Sequence, residues 1–156
     1  MTTIRVLTQT EVERAVRKRF SREARRRHYG TRVTDRRARG LWENEVRYEV
    51  TAAMIEYAWA VLLADPRVAE WRRAVTAFHA KEAMTDEDYE TGERLIREVA
   101  DALQTAAREF RSAQPLSLQA GGVNIKGLDR FAAGEWLRSG EVPDPQEAAR
   151  PGTRLP

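Results

Sequence analysis

The sequence predicts a mainly α-helical protein: an antiparallel bundle of three to four helices with a small C-terminal β-hairpin and an extended tail. Apolar residues recur at helical spacing through most of the first 112 positions. After Pro115 the spacing changes to strand-like alternation, and four of the six prolines lie in the last fifteen residues. A chain of 156 residues is long enough to bury a hydrophobic core, so it can fold stably without disulfide bonds, and it contains no cysteine.

The first predicted helix is strongly basic. It begins at Thr10, because Thr10 and Glu13 have the spacing of a capping box, and it runs to about Arg27. Its apolar stripe is narrow and consists of Val12, Val16, Phe20 and Ala24. Residues 30–40 lie between two glycines and carry four arginines, and they are predicted to form a loop or a linker.

The next helix is predicted over Leu41 to Ala64 and has apolar residues on two of its sides. Asp65 and Pro66 then provide an N-cap and a proline at the first helical position, which predicts a helix ending near Ala83. The predicted buried side of this second core helix consists of Val68, Trp71, Val75 and Phe78.

Thr85, with Asp88 three residues later, predicts the cap of a long third core helix over about 86–112. Its predicted core side consists of Tyr89, Ile96, Val99, Leu103, Ala106 and Phe110. Together with the basic helix, these three core helices give the predicted bundle.

The alternating segment after Pro115 predicts a hairpin that turns at Gly121-Gly122 and pairs Leu118 with Ile125. Because an isolated hairpin is marginal in water, its apolar face must pack on the bundle or on a neighbouring subunit. A short helix is predicted from about Leu128 to Arg138. The predicted organisation is a basic helix and Arg-rich loop over 1–40, a helical core over 41–112, the hairpin and short helix over 113–142, and a Pro-rich flexible tail over 143–156.

Charge is distributed unevenly along the chain. The net charge is +3, but residues 1–40 hold 13 basic and 4 acidic residues, while the remainder holds 14 and 20. This asymmetry indicates a polyanionic partner. Since the chain uses 24 arginines and 3 lysines, the inference depends on the clustering of cations and not on the choice of arginine.

Nucleic acid held through its phosphate backbone is the partner that the basic segment favours. The residues predicted to contact it are Arg14, Arg17, Lys18, Arg22, Arg25, Arg26, Arg32, Arg36 and Arg37. An acidic protein surface is an alternative partner. A third possibility is neutralisation within the fold, because Glu45, Glu49 and Glu56 align on the central helix and are predicted to pair with the arginines of the first helix.

A second interpretation is an oligomeric structural or adaptor protein, for example a component of a phage-like particle. In that case the hairpin and the tail contact neighbouring subunits. The residues predicted to form this interface are Leu118, Ile125, Phe131 and Trp136.

No enzyme, cofactor or metal site is predicted. Glu98 and Asp101 resemble the second half of the carboxylate motif of the all-α nucleotide pyrophosphohydrolases, which implies a magnesium site between helices. However, Glu43, Glu45 and Glu49 lack the spacing of the first half. The glycines also lack the spacing of a phosphate-binding loop.

Location is predicted from the apolar segments. The N-terminus has no apolar stretch of signal-peptide length, and the most apolar run, residues 52–64, is shorter than a bilayer span. The expected location is therefore the cytoplasm or an assembled particle.

Overall fold

A computed structural model describes the backbone of residues 2–27, 35–119 and 121–150, and side chains within these ranges except at 19–27, 35–39, 41 and 42. The described part is mainly helical and contains no β-strand. Its elements are α1 (Gln9–Arg27), α2 (Asp35–Leu63), α3 (Val68–His79), α4 (Asp86–Ala113), a 3-10 turn (Leu116–Leu118), α5 (Arg130–Ser139) and α6 (Pro145–Ala149).

Helices α2 and α4 form the centre of the bundle. They run antiparallel: the ring centroids of Tyr57 and Phe110 lie 5.4 Å apart, while Leu118, beyond the end of α4, lines one cavity with Val50, which precedes Tyr57 in α2. Helices α1 and α6 pack on α2, and α5 packs between α3 and α4. The predicted helical bundle is thus confirmed, with α2 buried on several sides.

The predicted cap of α4 is confirmed. The Thr85 hydroxyl accepts a hydrogen bond from the Asp88 backbone N–H (3.2 Å), and the Asp88 carboxylate accepts one from the Thr85 N–H (2.9 Å). Asp88 also pairs with the Lys81 ammonium. Hydrogen bonds from Lys81 and then from the Thr85 backbone lower the pKa of Asp88 from its ordinary value of 3.8 to about 2.

The start of α1 differs from the prediction, because the capping box is formed by Thr8 and Glu11. The Thr8 hydroxyl accepts from the Glu11 N–H (3.1 Å), and the Glu11 carboxylate accepts from the Thr8 N–H (3.2 Å). This cap places Leu7 before the N-cap and Val12 in the second turn, where both are buried as a hydrophobic staple. A cap at Thr10 would put polar residues at both positions.

The predicted β-hairpin is wrong. Its first half contains a 3-10 turn, Gly121 and Gly127 have positive φ angles of 73° and 91°, and no described residue of 113–142 is in a strand. The Trp59 indole N–H donates to the Gly127 carbonyl (2.7 Å), so a core side chain fixes this loop backbone. The apolar alternation arises because Leu118, Val123 and Ile125 each pack separately against the helical core.

Two predicted irregular segments are partly helical. Residues 35–40, predicted to lie in a loop or linker, belong to α2. Within the predicted flexible tail, α6 is capped by the Asp144 side chain and packs on α2, where the Tyr48 hydroxyl donates to the Gln146 carbonyl (2.7 Å). Ala148 is accordingly buried.

Smaller differences concern α3 and α4. Helix α3 runs from Val68 to His79. It begins after Arg67 because the Asp65 carboxylate accepts from the Arg67 N–H (2.8 Å) and forms a turn before the helix. Tyr89, predicted to lie in the core, is 63% exposed, and Leu95 is buried instead.

Helix α5 lies close to its predicted position. The Asp129 carboxylate accepts from the Ala132 N–H (2.9 Å), and Gly140 ends the helix in the left-handed conformation. The Arg72 guanidinium donates to the last carbonyls of α5, those of Trp136 (3.0 Å) and Leu137 (2.9 Å). The end of α5 is thereby fixed to α3. None of the described helices combines the length and the apolar character that a bilayer span requires.

Candidate nucleic-acid interface

The N-terminus of α1 is held against the end of α4 by one buried amide side chain. The Gln114 Oε1 accepts a hydrogen bond from the Leu7 N–H (2.7 Å), and its Nε2 donates to the carbonyls of Arg5 (2.9 Å) and Phe110 (3.1 Å). These three bonds fix the extended segment before α1. They therefore determine where the basic helix leaves the bundle.

Opposite faces of α1 have opposite character. Val12 and Val16 are buried, and α1 packs on α2. Arg14, Arg17 and Lys18 are all exposed. At about 100° per residue, the three cations fall within an arc of about 100° on the side of the helix away from the two valines. One narrow stripe thus attaches the helix, and a cationic face points to solvent.

This cationic face, defined by Arg14, Arg17 and Lys18, is not neutralised by the described part of the chain. No ion pair or hydrogen bond joins any of the three to another described residue. Three positive charges therefore lie next to one another without a protein partner among the described residues.

The other predicted phosphate contacts fall on less fully described positions. Arg22, Arg25 and Arg26 lie on the α1 backbone, and Arg36 and Arg37 lie on the first turn of α2, but their side chains are outside the described residues. Arg32 lies outside them entirely. Positions 14, 18, 22 and 25 repeat at three- and four-residue intervals, which places them along one side of α1.

The carboxylates expected to neutralise α1 do not contact its described cations. Glu45 and Glu49 are half-buried, and neither is without an interaction partner. Glu56 is exposed, at the edge of a cavity of about 200 Å³ that Arg5 and Glu49 also line. The predicted pairing of these glutamates with the arginines of α1 remains a prediction for residues 19–27.

Glu11, in the first turn of α1, is engaged in the cap of that helix. Glu11 accepts from Thr8, and its carboxylate lies 3.2 Å from the Arg5 guanidinium. The backbone hydrogen bond from Thr8, followed by the charge of Arg5, lowers the pKa of the Glu11 carboxyl. Glu11 therefore caps the helix and does not offset the cationic face.

The four residues predicted to form a subunit interface separate into two groups. Leu118 and Trp136 are each 2% exposed and belong to the core of the single chain, so they are not presented at its surface. Ile125 is half-buried against the same core. Phe131 is 77% exposed. Sequence reasoning missed Val142, which is 39% exposed near Phe131.

Of the two carboxylates that resemble a nucleotide pyrophosphohydrolase motif, Glu98 makes contacts within the fold. Glu98 accepts a hydrogen bond from the Trp71 indole N–H (3.0 Å) and lies 4.0 Å from Arg94, while Asp101 is exposed. Across the described residues there is no group of three or more histidine or acidic side chains that could hold a metal ion.

Comparisons with protein-family models, with curated proteins and with solved structures find no match to this chain. The geometry of the chain itself is therefore the basis for inferring its function.

Proposed function

We propose that this protein is a non-enzymatic binding protein whose Arg-rich N-terminal segment binds a polyanion, most readily nucleic acid through its phosphate backbone. The observation that supports the proposal is the cationic face of α1, where Arg14, Arg17 and Lys18 are exposed and have no described ion-pair partner. Neutralising phosphates with such side chains releases counterions and gives affinity without reading the base sequence.

The dimensions of α1 suit this role. Positions 14 to 26 span about 18 Å at about 1.5 Å per residue, which is the length of about five base pairs of duplex. Arginine can hold a phosphate through two parallel hydrogen bonds, so the clustered cations of α1 are able to make backbone contacts. The buried stripe of α1 keeps the helix attached to the bundle while its cations contact the ligand.

The salt dependence of DNA binding tests the proposal. If about five phosphates are neutralised, log K should fall with log salt concentration at a slope near −4.5, because each contact contributes about −0.9. Replacing Arg14, Arg17 and Lys18 together by alanine should make the slope shallower by about 2.7. Fluorescence anisotropy of a labelled duplex measures both slopes.

A matched control has the same change in net charge. Arg73, Arg97 and Arg108 are exposed arginines on α3 and α4, and replacing all three by alanine should leave the slope almost unchanged. A flat salt response of the wild-type protein contradicts the proposal. An equal loss in both triple variants would show that binding depends only on net charge and not on the cationic face.

The second candidate function is an oligomeric structural or adaptor protein, and the exposure of Phe131 favours it. The C-terminal segment cannot simply be deleted to test this function, because Leu128, Ala133 and Trp136 are buried in the core. Substitutions at its exposed positions are required instead.

A further inference from the structure

An apolar groove of about 220 Å³ lies beside α5, on the side of the bundle formed by the C-terminal segment. Its floor consists of Ala132 and Ala148, which are buried. Its walls include Phe131, 77% exposed, and Val142, 39% exposed. A cavity of about 150 Å³ is large enough to hold benzene, so this groove can accept an aromatic side chain.

Two charges of opposite sign that form no ion pair among the described residues lie at the rim of this groove. Lys126 precedes α5 and Glu141 follows it, and the Glu141 charge acts on Arg138 only from beyond ion-pair distance. The third charge at the rim, Glu135, is paired with Arg138 at 2.7 Å. The groove thus presents a cation near one end of α5 and an anion near the other.

We propose that the occupant of this groove is a second copy of the chain, with the two α5 helices antiparallel about a two-fold axis. This arrangement places Phe131 of each copy against Val142 and Pro143 of the other. It also brings Lys126 of one copy to Glu141 of the other, and the same pair forms twice because a two-fold interface uses one patch on both copies. The proposal rests on the second candidate function and names its interface.

Charge complementarity selects this orientation. If the two α5 helices were parallel, Lys126 would meet Lys126 and Glu141 would meet Glu141, and like charges at an interface are unfavourable. In the antiparallel arrangement both Lys126–Glu141 contacts join opposite charges, and Phe131 of each copy packs on the apolar residues that follow α5 of the other.

Sedimentation equilibrium of the nuclease-treated full chain, at about 1 to 200 µM and at high salt, measures this association. Phe131→Ser should weaken the dimer about 100-fold, because two phenylalanines leave the interface and each contributes about tenfold or more. Leu116→Ser is the matched control, since Leu116 is 87% exposed and does not line the groove. It should leave the association unchanged.

Charge exchange tests the orientation of the two copies. Measured at low salt, where exposed charges are not screened, Lys126→Glu and Glu141→Lys should each weaken the dimer, and combining them in one chain should restore it. A double variant weaker than either single variant would overturn the antiparallel arrangement. Near-UV circular dichroism checks that every variant is folded.

Three outcomes overturn the proposal as a whole. The first is a wild-type chain that is monomeric throughout the concentration range, and the second is an equal weakening of the dimer by Phe131→Ser and Leu116→Ser. The third is a dimer that forms only when the chain is shortened to end at residue 150. The last outcome would mean that residues 151–156 occupy the groove.

Failure of this proposal and failure of nucleic-acid binding are distinguishable. Alanine substitution of Arg14, Arg17 and Lys18 should leave the protein dimer intact, and Phe131→Ser should leave the salt slope of DNA binding unchanged. Loss of dimerisation in the triple variant would overturn the assignment of the dimer to the groove.

Discussion

The Gln114 side chain offers a direct test of how the N-terminal segment is attached to the bundle. Gln114 is 3% exposed, and its amide makes three hydrogen bonds to the backbones of Leu7, Arg5 and Phe110. Leucine at this position has a similar size but can neither donate nor accept a hydrogen bond. The substitution Gln114→Leu therefore removes all three bonds while changing the packing little.

The magnitude follows from the groups left behind. The Leu7 N–H is buried, and leaving such a donor without a partner costs about 1–3 kcal/mol. Each of the two carbonyls loses a bond worth about 0.5–1.5 kcal/mol net. Because the leucine side chain recovers part of this loss by apolar burial, we expect a destabilisation of about 3 kcal/mol in total.

Urea unfolding followed by circular dichroism measures this loss. With an m-value of about 2 kcal/mol per molar urea, the midpoint should fall by about 1.5 M. Hydrogen exchange of the Leu7 amide should also become faster, since its acceptor is gone. Gln104→Leu is the control: Gln104 is half-buried and its amide makes only long contacts of 3.4 and 3.5 Å, so its effect should stay within about 0.5 kcal/mol. Equal losses in the two variants would refute the assignment of the anchor to Gln114.

Further predictions concern the caps and the glycines. The lowered pKa of Asp88 adds stability that is fully present above its unfolded pKa near 3.8 and is lost as pH falls through about 2. The urea midpoint of the wild type should therefore exceed that of Asp88→Asn by less and less between about pH 4 and pH 2. A difference between the two midpoints that does not change with pH would contradict this. Gly127→Ala should lower stability by about 1–3 kcal/mol, because Gly127 has a φ of +91° and an added Cβ would lie 2.9 Å from a neighbouring Cβ. Its control is Gly122→Ala, which has open space around the added Cβ and should change stability by less than about 0.5 kcal/mol. Equal effects of the two variants in thermal melts would contradict the strain argument. Gly92→Ala, inside α4 with nothing within 4 Å of the added Cβ, should raise stability by about 0.5–1 kcal/mol, and a lowered melting temperature would count against it.

The helical core was predictable from the sequence because its signals are local and periodic. The cap at Thr85 and the helix after it depend on residues within four positions of each other. The start of α1 was ambiguous, since Thr8 and Thr10 both have a glutamate three residues later. The burial of Leu7 and Val12 decides between them, and the apolar character of these two residues could have indicated it.

The hairpin could not be distinguished from a loop by alternation alone. Leu118, Val123 and Ile125 are apolar because each contacts the helices, and the backbone between them is bound by Trp59 from α2, a contact across 68 positions. Such a distant hydrogen bond leaves no local pattern in the sequence.

The candidate sites were predictable to different degrees. Exposure of Arg14, Arg17 and Lys18 follows from the helical period once Val12 and Val16 are assigned to the buried stripe. That Phe131 is exposed while Trp136 is buried could not be predicted from the sequence, because both are aromatic residues on one short helix. Which side of α5 is covered depends on where α3 and α4 pack, and the sequence pattern does not contain that information.

The three tryptophans that meet at α5 make the packing of this helix optically observable. The ring centroids of Trp59 and Trp136 lie 6.1 Å apart, and those of Trp71 and Trp136 lie 6.3 Å apart, edge to face. Indoles this close couple their electronic transitions and produce strong near-ultraviolet dichroism only while their mutual orientation is fixed. Trp136 belongs to both pairs, so undocking of α5 would abolish both couplings at once. The chain thus contains an intrinsic chromophore for following α5 without any attached label.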